Sequence, residues 1–576
     1  MVSPNLIKRG NDSLPSIEIN EDAKKIFQVI YSEKNRKEDW DDDIPRIKVS
    51  TLVSRLAFFY EKIRNAVDYE EEHLLRKNAI ARIIKRQIVI EGVIKETDSL
   101  KISEHLLTEL IRGRYLSNNL IPETKIQEIA IKLEKYIFLK NQVALKINNE
   151  LSLKTDINRA KDLINEKNKL TNWIIALLAC EIEENLAPNR VKQAIVGNMF
   201  SVLSKIIKLP SDLPYEHDLE IQIYLSVSRN YLKFDEDMLC FVLFKYYNSE
   251  WLDLSLNSQD AAVNTEKIRQ VALKIHEFKK TIDGQIKHPL AKQIDKIARL
   301  YSLYFSILAE TIEVDPAKVY SELEGEAKGF ISLIRKVCEK KYQRAKSRLW
   351  RSATRSMIYI FFTKSIFVVL IEVPAIKFFN EPLNLVSLAI NVCFPAVLLF
   401  FIVFMSRIPG NNNTDKIVGG IKEIAFLGYE KKQPLILRQP RKRSWLKDGI
   451  FRVIYAASFC ISIWTIVWVL THIGFNWVSI IIFLFFLAFV SFFSIMTTRG
   501  VKELVVVERK ENILGFLLDL FYMPIIMAGR WMSGEFSKLN IFVFVFDFII
   551  EAPFKVIVQM AEDWTRYVKE RRENIE

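Results

Sequence analysis

Residues 357–379 read MIYIFFTKSIFVVLIEVPAIKFF, and this stretch decides the fold. It exceeds the roughly 20 residues that an α-helix needs to cross about 30 Å of hydrocarbon at about 1.5 Å per residue. Three more apolar runs of similar length follow at residues 383–406, 449–470 and 475–497. Buried helices of soluble proteins seldom contain such long apolar runs, so the sequence predicts four membrane-spanning helices arranged as two hairpins.

The composition of the whole chain indicates a helical protein. Only 17 of the 576 residues are Gly, and 50% of the residues are hydrophobic, which excludes a disordered chain. Five scattered Cys exclude a disulfide-dense scaffold. Before the first apolar run, hydrophobic residues recur at every third or fourth position, as is typical of amphipathic helices, and Asp235 is an expected N-cap. The predicted fold class is all-α, with a large cytoplasmic helical domain followed by a polytopic α-helical transmembrane domain.

The predicted domain organisation follows from these patterns and from the charge runs. The segments are a loosely structured acidic stretch at 1–45, a cytoplasmic helical domain ending in a basic stalk helix at 46–350, a transmembrane hairpin at 356–406, a basic cytoplasmic loop at 407–448, a second hairpin at 449–497, interfacial or re-entrant amphipathic helices at 513–565 and a charged cytoplasmic tail at 566–576. If residues 513–565 crossed the bilayer twice, the chain would have six spans instead of four.

Basic residues predict the orientation of the spans. Residues 335–355 hold nine Lys and Arg against one Glu, and residues 407–448 hold ten against four acidic residues. The two hairpin turns hold none, so the positive-inside rule places both basic segments in the cytoplasm. The opening residues lack the apolar core of a cleavable signal peptide. We expect an integral protein of the inner or plasma membrane with cytoplasmic termini.

The same charge distribution predicts the bilayer as a partner rather than nucleic acid. The two basic segments together exceed the +13 net charge of the whole chain, so the excess lies beside the membrane. A Lys or Arg near anionic headgroups gains about 1 kcal/mol. The residues expected to contact anionic lipid are Arg348, Arg351, Arg438, Arg441, Lys442 and Arg443. The alternative is that these residues serve only as a topology signal.

Ionisable residues inside the apolar half are the candidate functional residues, because charge within a bilayer is costly. The predicted intramembrane polar network consists of Lys364, Glu372, Asp519, Asp547, Glu551 and Lys555. Pro374 and Pro553, each two residues after an acid, are expected to kink their helices and free a backbone carbonyl. The alternative for Lys364 and Glu372 is snorkelling toward the two membrane surfaces.

No sequence motif identifies a reaction. The chain lacks the phosphate-binding, dinucleotide-binding, zinc-protease and serine-hydrolase signatures, so we expect no catalytic residue, cofactor or metal. The first hypothesis is a membrane-anchored scaffold whose cytoplasmic helical domain binds another protein. The second is a secondary transporter or ion channel that uses the intramembrane charges. An enzyme acting on membrane lipid ranks third, because no further cluster of acids, His or Cys supports it.

Overall fold

The computed structural model describes most of the chain, and the prediction of an all-α fold is confirmed. The described residues are 20–35, 45–50, 71–90, 98–152, 157–257, 259–314, 328–426, 434–439, 445–507 and 513–538, with isolated positions at 54, 55, 57, 58, 61, 62, 316, 319, 560, 564, 567, 568 and 571. The chain divides into two compact units. The leading unit comprises Asn35–Arg299, Leu435–Leu437 and Ile541–Glu576, and the span unit comprises Met1–Lys34, Leu300–Pro434 and Arg438–Asn540.

The leading unit is a stack of amphipathic helices. Its elements are α2 (Glu72–Lys85), α3 (Ser99–Arg112), α4 (Thr124–Ser152), α5 (Ile157–Leu186), α6 (Arg190–Ile206), β1 (Ile207–Lys208), α7 (Glu216–Val227), α8 (Glu236–Tyr247), α9 (Ala261–Leu273), α10 (Ile275–Ile286) and the start of α11 (Ala291–Val314). The two-residue β1 pairs in parallel with β2 (Leu435–Ile436). Asp235 caps α8 as predicted, because its carboxylate accepts the Met238 N–H at 3.0 Å.

Helical periodicity builds the core of this unit. Along α4 the buried positions include Ile129, Leu133, Tyr136 and Val143, which lie on one face because a helix repeats about every 3.6 residues. The same core holds Trp251, which lies edge-on to Tyr136 with ring centroids 5.1 Å apart. The leading unit therefore has a hydrophobic core of its own.

The span unit contains four helices long and apolar enough to cross a membrane. They cover Gly329–Phe378, Leu385–Phe404, Gly449–His472 and Trp477–Lys502. The helices of this unit are α1 (Glu21–Asn35), the rest of α11, α12 (Lys328–Phe367), α13 (Val373–Phe378), α14 (Leu385–Phe404), α15 (Asn411–Ala425), α16 (Trp445–His472), α17 (Trp477–Lys502) and α18 (Ile513–Lys538). The four apolar runs thus form helices, as the sequence predicts.

Two left-handed residues lie in the turns that join α13 to α14 and α16 to α17. Asn380 follows α13 with φ 54°, and Gly474 follows α16 with φ 90°. Asn and Gly are the residues that adopt this conformation at least cost. Asn384 caps α14 and donates to the Gly474 carbonyl at 3.2 Å, which links the two turns.

The basic part of α12 packs against other helices of the span unit. Lys341 Nζ lies 3.0 Å from the Glu310 carboxylate, and Arg335 lies 2.6 Å from Asp415 on α15. The predicted lipid-contact residues Arg348 and Arg351 are exposed on α12, and Arg438 is exposed after β2. Arg441, Lys442 and Arg443 lie outside the described residues. Contact with anionic lipid stays a prediction for all six.

The helix α18 packs along α16 and α17, inside the segment predicted to be interfacial. Pro524 in α18 has no N–H, so the Leu520 carbonyl lacks its helical donor. The Ser458 hydroxyl of α16 donates to that carbonyl at 2.8 Å, and Ser462 donates to the Phe521 carbonyl at 3.0 Å. Neighbouring hydroxyls that satisfy a proline-freed carbonyl are one way in which helices tolerate proline in an apolar setting.

Candidate functional site

Two of the predicted network residues, Lys364 and Glu372, form a buried pair in the first candidate span. Both side chains have 0% exposure, and Lys364 Nζ lies 3.9 Å from Glu372 Oε2. Between them, Val369 and Leu370 point outward with 66% and 69% exposure. The charged groups thus face the interior of the bundle while the outer surface is apolar, which is the usual arrangement of ionisable groups in spans.

A π-helical turn at Val368–Glu372 brings the two side chains together. Eight residues of regular α-helix would place Lys364 and Glu372 about 80° apart around the axis. The wider π turn winds less per residue and brings Glu372 back toward the face of Lys364. Pro374 follows directly at the start of α13, where it cannot donate to the Leu370 carbonyl. The structure thus has a local change of helix type that repositions an acid, and a kink at Pro374 stays a prediction.

Two neutral side chains from other spans complete the site. Glu372 Oε1 accepts hydrogen bonds from Asn391 Nδ2 of α14 at 2.6 Å and from the Ser479 hydroxyl of α17 at 2.7 Å. Asn391 and Ser479 are also fully buried. Three spans therefore converge on one carboxylate oxygen. We call Lys364, Glu372, Asn391 and Ser479 the carboxylate cluster.

Three polar atoms of the carboxylate cluster lack a hydrogen-bond partner in the described part of the chain. Lys364 Nζ, Glu372 Oε2 and Asn391 Oδ1 have no hydrogen-bond partner within the described ranges. The ammonium instead lies 3.8 Å from the centroid of the Phe486 ring, a cation–π contact. Leaving a buried polar atom without a partner costs about 1–3 kcal/mol, and more for a charged group. Such a cost is unusual in an arrangement that serves packing alone.

Pro395 leaves one backbone acceptor of α14 without its helical donor. It lies inside α14 four residues after Asn391, so the Asn391 backbone carbonyl has no helical donor. Within the carboxylate cluster itself, Glu372 Oε2 and Asn391 Oδ1 are acceptors without a hydrogen bond among the described residues. The only cation within 4 Å of the carboxylate among the described residues is Lys364.

The structure leaves four members of the predicted network untested. Asp519 lies within α18, and its side chain is not among those described. Asp547, Glu551 and Lys555 lie outside the described residues, as does the predicted kink at Pro553. The cluster that the structure does describe contains Lys364 and Glu372 from the predicted set. In this cluster the two side chains are turned toward each other, and the choice between a buried network and snorkelling stays a prediction.

Sequence reasoning missed Asn391 and Ser479. Each is a neutral polar residue in an otherwise apolar run. A neutral residue costs less than a charge within a bilayer, so it is a weaker signal of a functional site. Asn391 could have been found, because it is the only amide in α14 and Pro395 follows it at the i+4 position. Ser479 could not, because Ser491 and Ser494 of α17 are equally good candidates in the sequence.

No group of three or more His, Cys, Asp or Glu side chains in the described segments could hold a metal ion. No family model, curated protein or solved structure matches this chain.

Proposed function

We propose that the chain is a multi-pass membrane protein that moves protons across the bilayer, with Glu372 as the proton-binding group and Lys364 as its counter-charge. The observation that supports this is the incomplete hydrogen bonding of a fully buried Lys–Glu pair. A carboxylate with one fixed and one open oxygen can gain or lose a proton at the open oxygen without disturbing its bonds to Asn391 and Ser479.

A proton suits the carboxylate cluster better than a metal cation does. A proton needs one acceptor, whereas hard cations are held by about six oxygen ligands. The Lys364 ammonium lies 3.9 Å from the Glu372 carboxylate and would repel a cation bound there. Protonation of Glu372 would remove the counter-charge of Lys364, so the two protonation states favour different local arrangements of α12 and α13. Two such arrangements are what alternating access requires.

The orientation is part of this proposal. We infer that residues 46–350, the 407–448 loop and both termini face the cytoplasm, because the basic segments flank the candidate spans. The two hairpin turns would then face the opposite side. Single cysteines introduced at Asn380 and Arg438 test this, since a membrane-impermeant reagent should label only the first from outside.

Proton flux in reconstituted vesicles tests the function. The purified full chain would be placed in liposomes with a pH-sensitive dye, and an imposed potential would drive proton entry. We expect Glu372→Gln to reduce the flux to that of protein-free vesicles. The matched control is Glu381→Gln, because Glu381 lies in the hairpin turn and its carboxylate has no described partner.

Two results would overturn the proposal. One is an unchanged flux in Glu372→Gln vesicles when thermal unfolding shows that the variant is folded. The other is a flux of Na⁺ or K⁺ that depends on Glu372 and proceeds without proton movement.

Partner binding by the leading unit is supported only by the lack of recognisable chemistry there, so we place it second. The carboxylate cluster is a positive observation with a specific chemical consequence. Partner binding by the leading unit stays a prediction, and the absence of any specific crosslink to the membrane-embedded full chain would count against it.

A further inference from the structure

A cavity of about 420 Å³ lies within the leading unit, between α2, α5, α6, α7 and α8. Its volume falls within the range of about 300–1,000 Å³ that is usual for small-molecule sites. All of its lining residues belong to the leading unit, so it is separate from the carboxylate cluster and does not depend on the proposed function.

Most of the cavity wall is apolar and aromatic. The side chains that form this wall include Val196, Tyr224, Phe234, Met238 and Phe241. A wall of this kind binds an apolar body of matching size by removing its surface from water.

The charged residues at the cavity differ in whether they are already paired. Arg76 donates two hydrogen bonds of 2.7 Å to Glu183, and Lys245 contacts Glu184 at 2.6 Å. In contrast, the exposed Lys192 ammonium has no hydrogen bond or ion pair within the part of the chain that the structure describes. The cavity therefore has one unneutralised cation.

Two further features of the cavity wall favour an anionic ligand. His73 Nε2 is buried and has no hydrogen-bond partner among the described residues. Lys192 also lies in the first turn of α6, which begins after the N-cap Asn189 at the cavity wall. The N-terminal turn of a 17-residue helix carries partial positive charge.

Gly197 is an exposed glycine at the cavity wall with open space beside it. It lies in the interior of α6 at the cavity wall, where Gly is less favourable than Ala. A Cβ added at Gly197 would meet no atom within 4 Å. No packing contact therefore requires Gly here, and a larger side chain would extend into open space.

We propose that this cavity binds a small organic monoanion, namely a carboxylate on a compact aromatic or apolar body. The carboxylate lies near Lys192, His73 and the first turn of α6, and the body lies against Phe241 and Val196. The paired Arg76 and Lys245 hold the walls in place through their acids and do not contact the anion directly.

Binding of 2-naphthoate to the full chain in lipid nanodiscs tests this, with empty nanodiscs as the blank for calorimetry. We expect one saturable site per chain. Lys192→Gln should weaken the affinity roughly tenfold, the usual worth of one charge-assisted contact. The matched control Lys205→Gln removes a charge from the same helix outside the cavity and should leave the affinity unchanged.

A larger side chain at Gly197 distinguishes loss of the binding site from loss of folding, because binding and thermal unfolding are measured on the same variant. Gly197→Leu should abolish binding while the thermal unfolding temperature stays the same or rises, because Leu favours the helix. The proposal is overturned if Gly197→Leu binds like the unaltered chain. It is also overturned if the uncharged 2-naphthylmethanol binds as tightly as 2-naphthoate.

The pH dependence gives an independent readout at His73. Burial, together with Lys192 and Arg76, lowers the pKa of His73, and Glu71 and Asp235 only partly oppose this. A bound carboxylate would favour protonated His73, so the affinity for 2-naphthoate should rise as the pH falls from about 8 to about 5.5. His73→Asn should remove this rise, and an identical pH profile in the variant would exclude His73 from the site.

Discussion

Glu181 of the leading unit and Glu372 of the span unit are both buried carboxylates beside a lysine, yet their surroundings differ. Glu181 Oε1 accepts from Lys132 and Lys135, each at 3.1 Å, and Oε2 accepts from the Tyr136 hydroxyl at 2.8 Å and Trp251 Nε1 at 3.2 Å. Glu372 uses only Oε1. A carboxylate with both oxygens bonded stabilises the packing around it, whereas the proton exchange proposed for Glu372 uses the oxygen without a hydrogen bond.

The electrostatics of Glu181 agree with a structural role. Burial alone would raise its pKa, but Lys135 and Lys132 hold the pKa of Glu181 below its usual value. An acid whose pKa is lowered on folding stabilises the fold above its unfolded pKa, and this contribution is lost as the pH falls through the folded value. Glu181 therefore stays charged at neutral pH and contributes its full stabilisation there.

The largest predicted effect compares Glu181→Gln with Glu372→Gln. At Glu181 both oxygens accept hydrogen bonds, so the amide NH₂ of the new Gln must face a donor in either orientation. We expect the free energy of unfolding to fall by about 3–5 kcal/mol. At Glu372 the amide nitrogen can replace Oε2, which accepts no hydrogen bond, so the bonds to Oε1 are kept and only the 3.9 Å contact with the buried Lys364 ammonium is lost. We therefore expect a smaller loss of unfolding free energy than at Glu181. Hydrogen exchange of α4 and α17 amides in the full chain measures each loss locally. Equal losses would remove the distinction between the two carboxylates.

A smaller effect is expected from two glycines. A Cβ at Gly529 of α18 would overlap the Ala488 carbonyl oxygen of α17, whereas one at Gly197 meets no atom within 4 Å. Gly529→Ala should therefore push α17 and α18 apart and lower the free energy of unfolding by about 1–3 kcal/mol. Gly197→Ala should instead stabilise α6 by about 0.5–1 kcal/mol. Thermal unfolding in nanodiscs compares them, and a stabilising Gly529→Ala would contradict the close approach of the two helices.

The smallest effect concerns the serine that bonds to a proline-freed carbonyl. Ser458→Ala removes the donor to Leu520 and should cost about 0.6 kcal/mol, the average for such bonds in membranes. In a Pro524→Ala background the helix supplies its own N–H, so the same serine substitution should cost less. A double-mutant cycle by thermal unfolding measures this coupling. Additive losses would show that the serine does not compensate for the proline.

Much of the fold could be predicted from local sequence. Apolar runs predict the four long helices because the helix rise and the bilayer thickness together set how many apolar residues a span needs. Asp235 predicts a helix start because its carboxylate can accept a hydrogen bond from a nearby backbone N–H. Lys364 and Glu372 could be singled out as costly charges. Their approach could not be predicted, since it depends on a π turn that single-residue preferences do not specify.

The sequence by itself determined helix content, the four apolar helices and the identity of the two charges within one of them, because these depend on spacing and composition along a single segment. Only the tertiary structure decided that Asn391 and Ser479 bind Glu372 and that Lys192 and His73 share a cavity. Those contacts join residues distant in sequence, and their energies depend on which groups remain unpaired after packing.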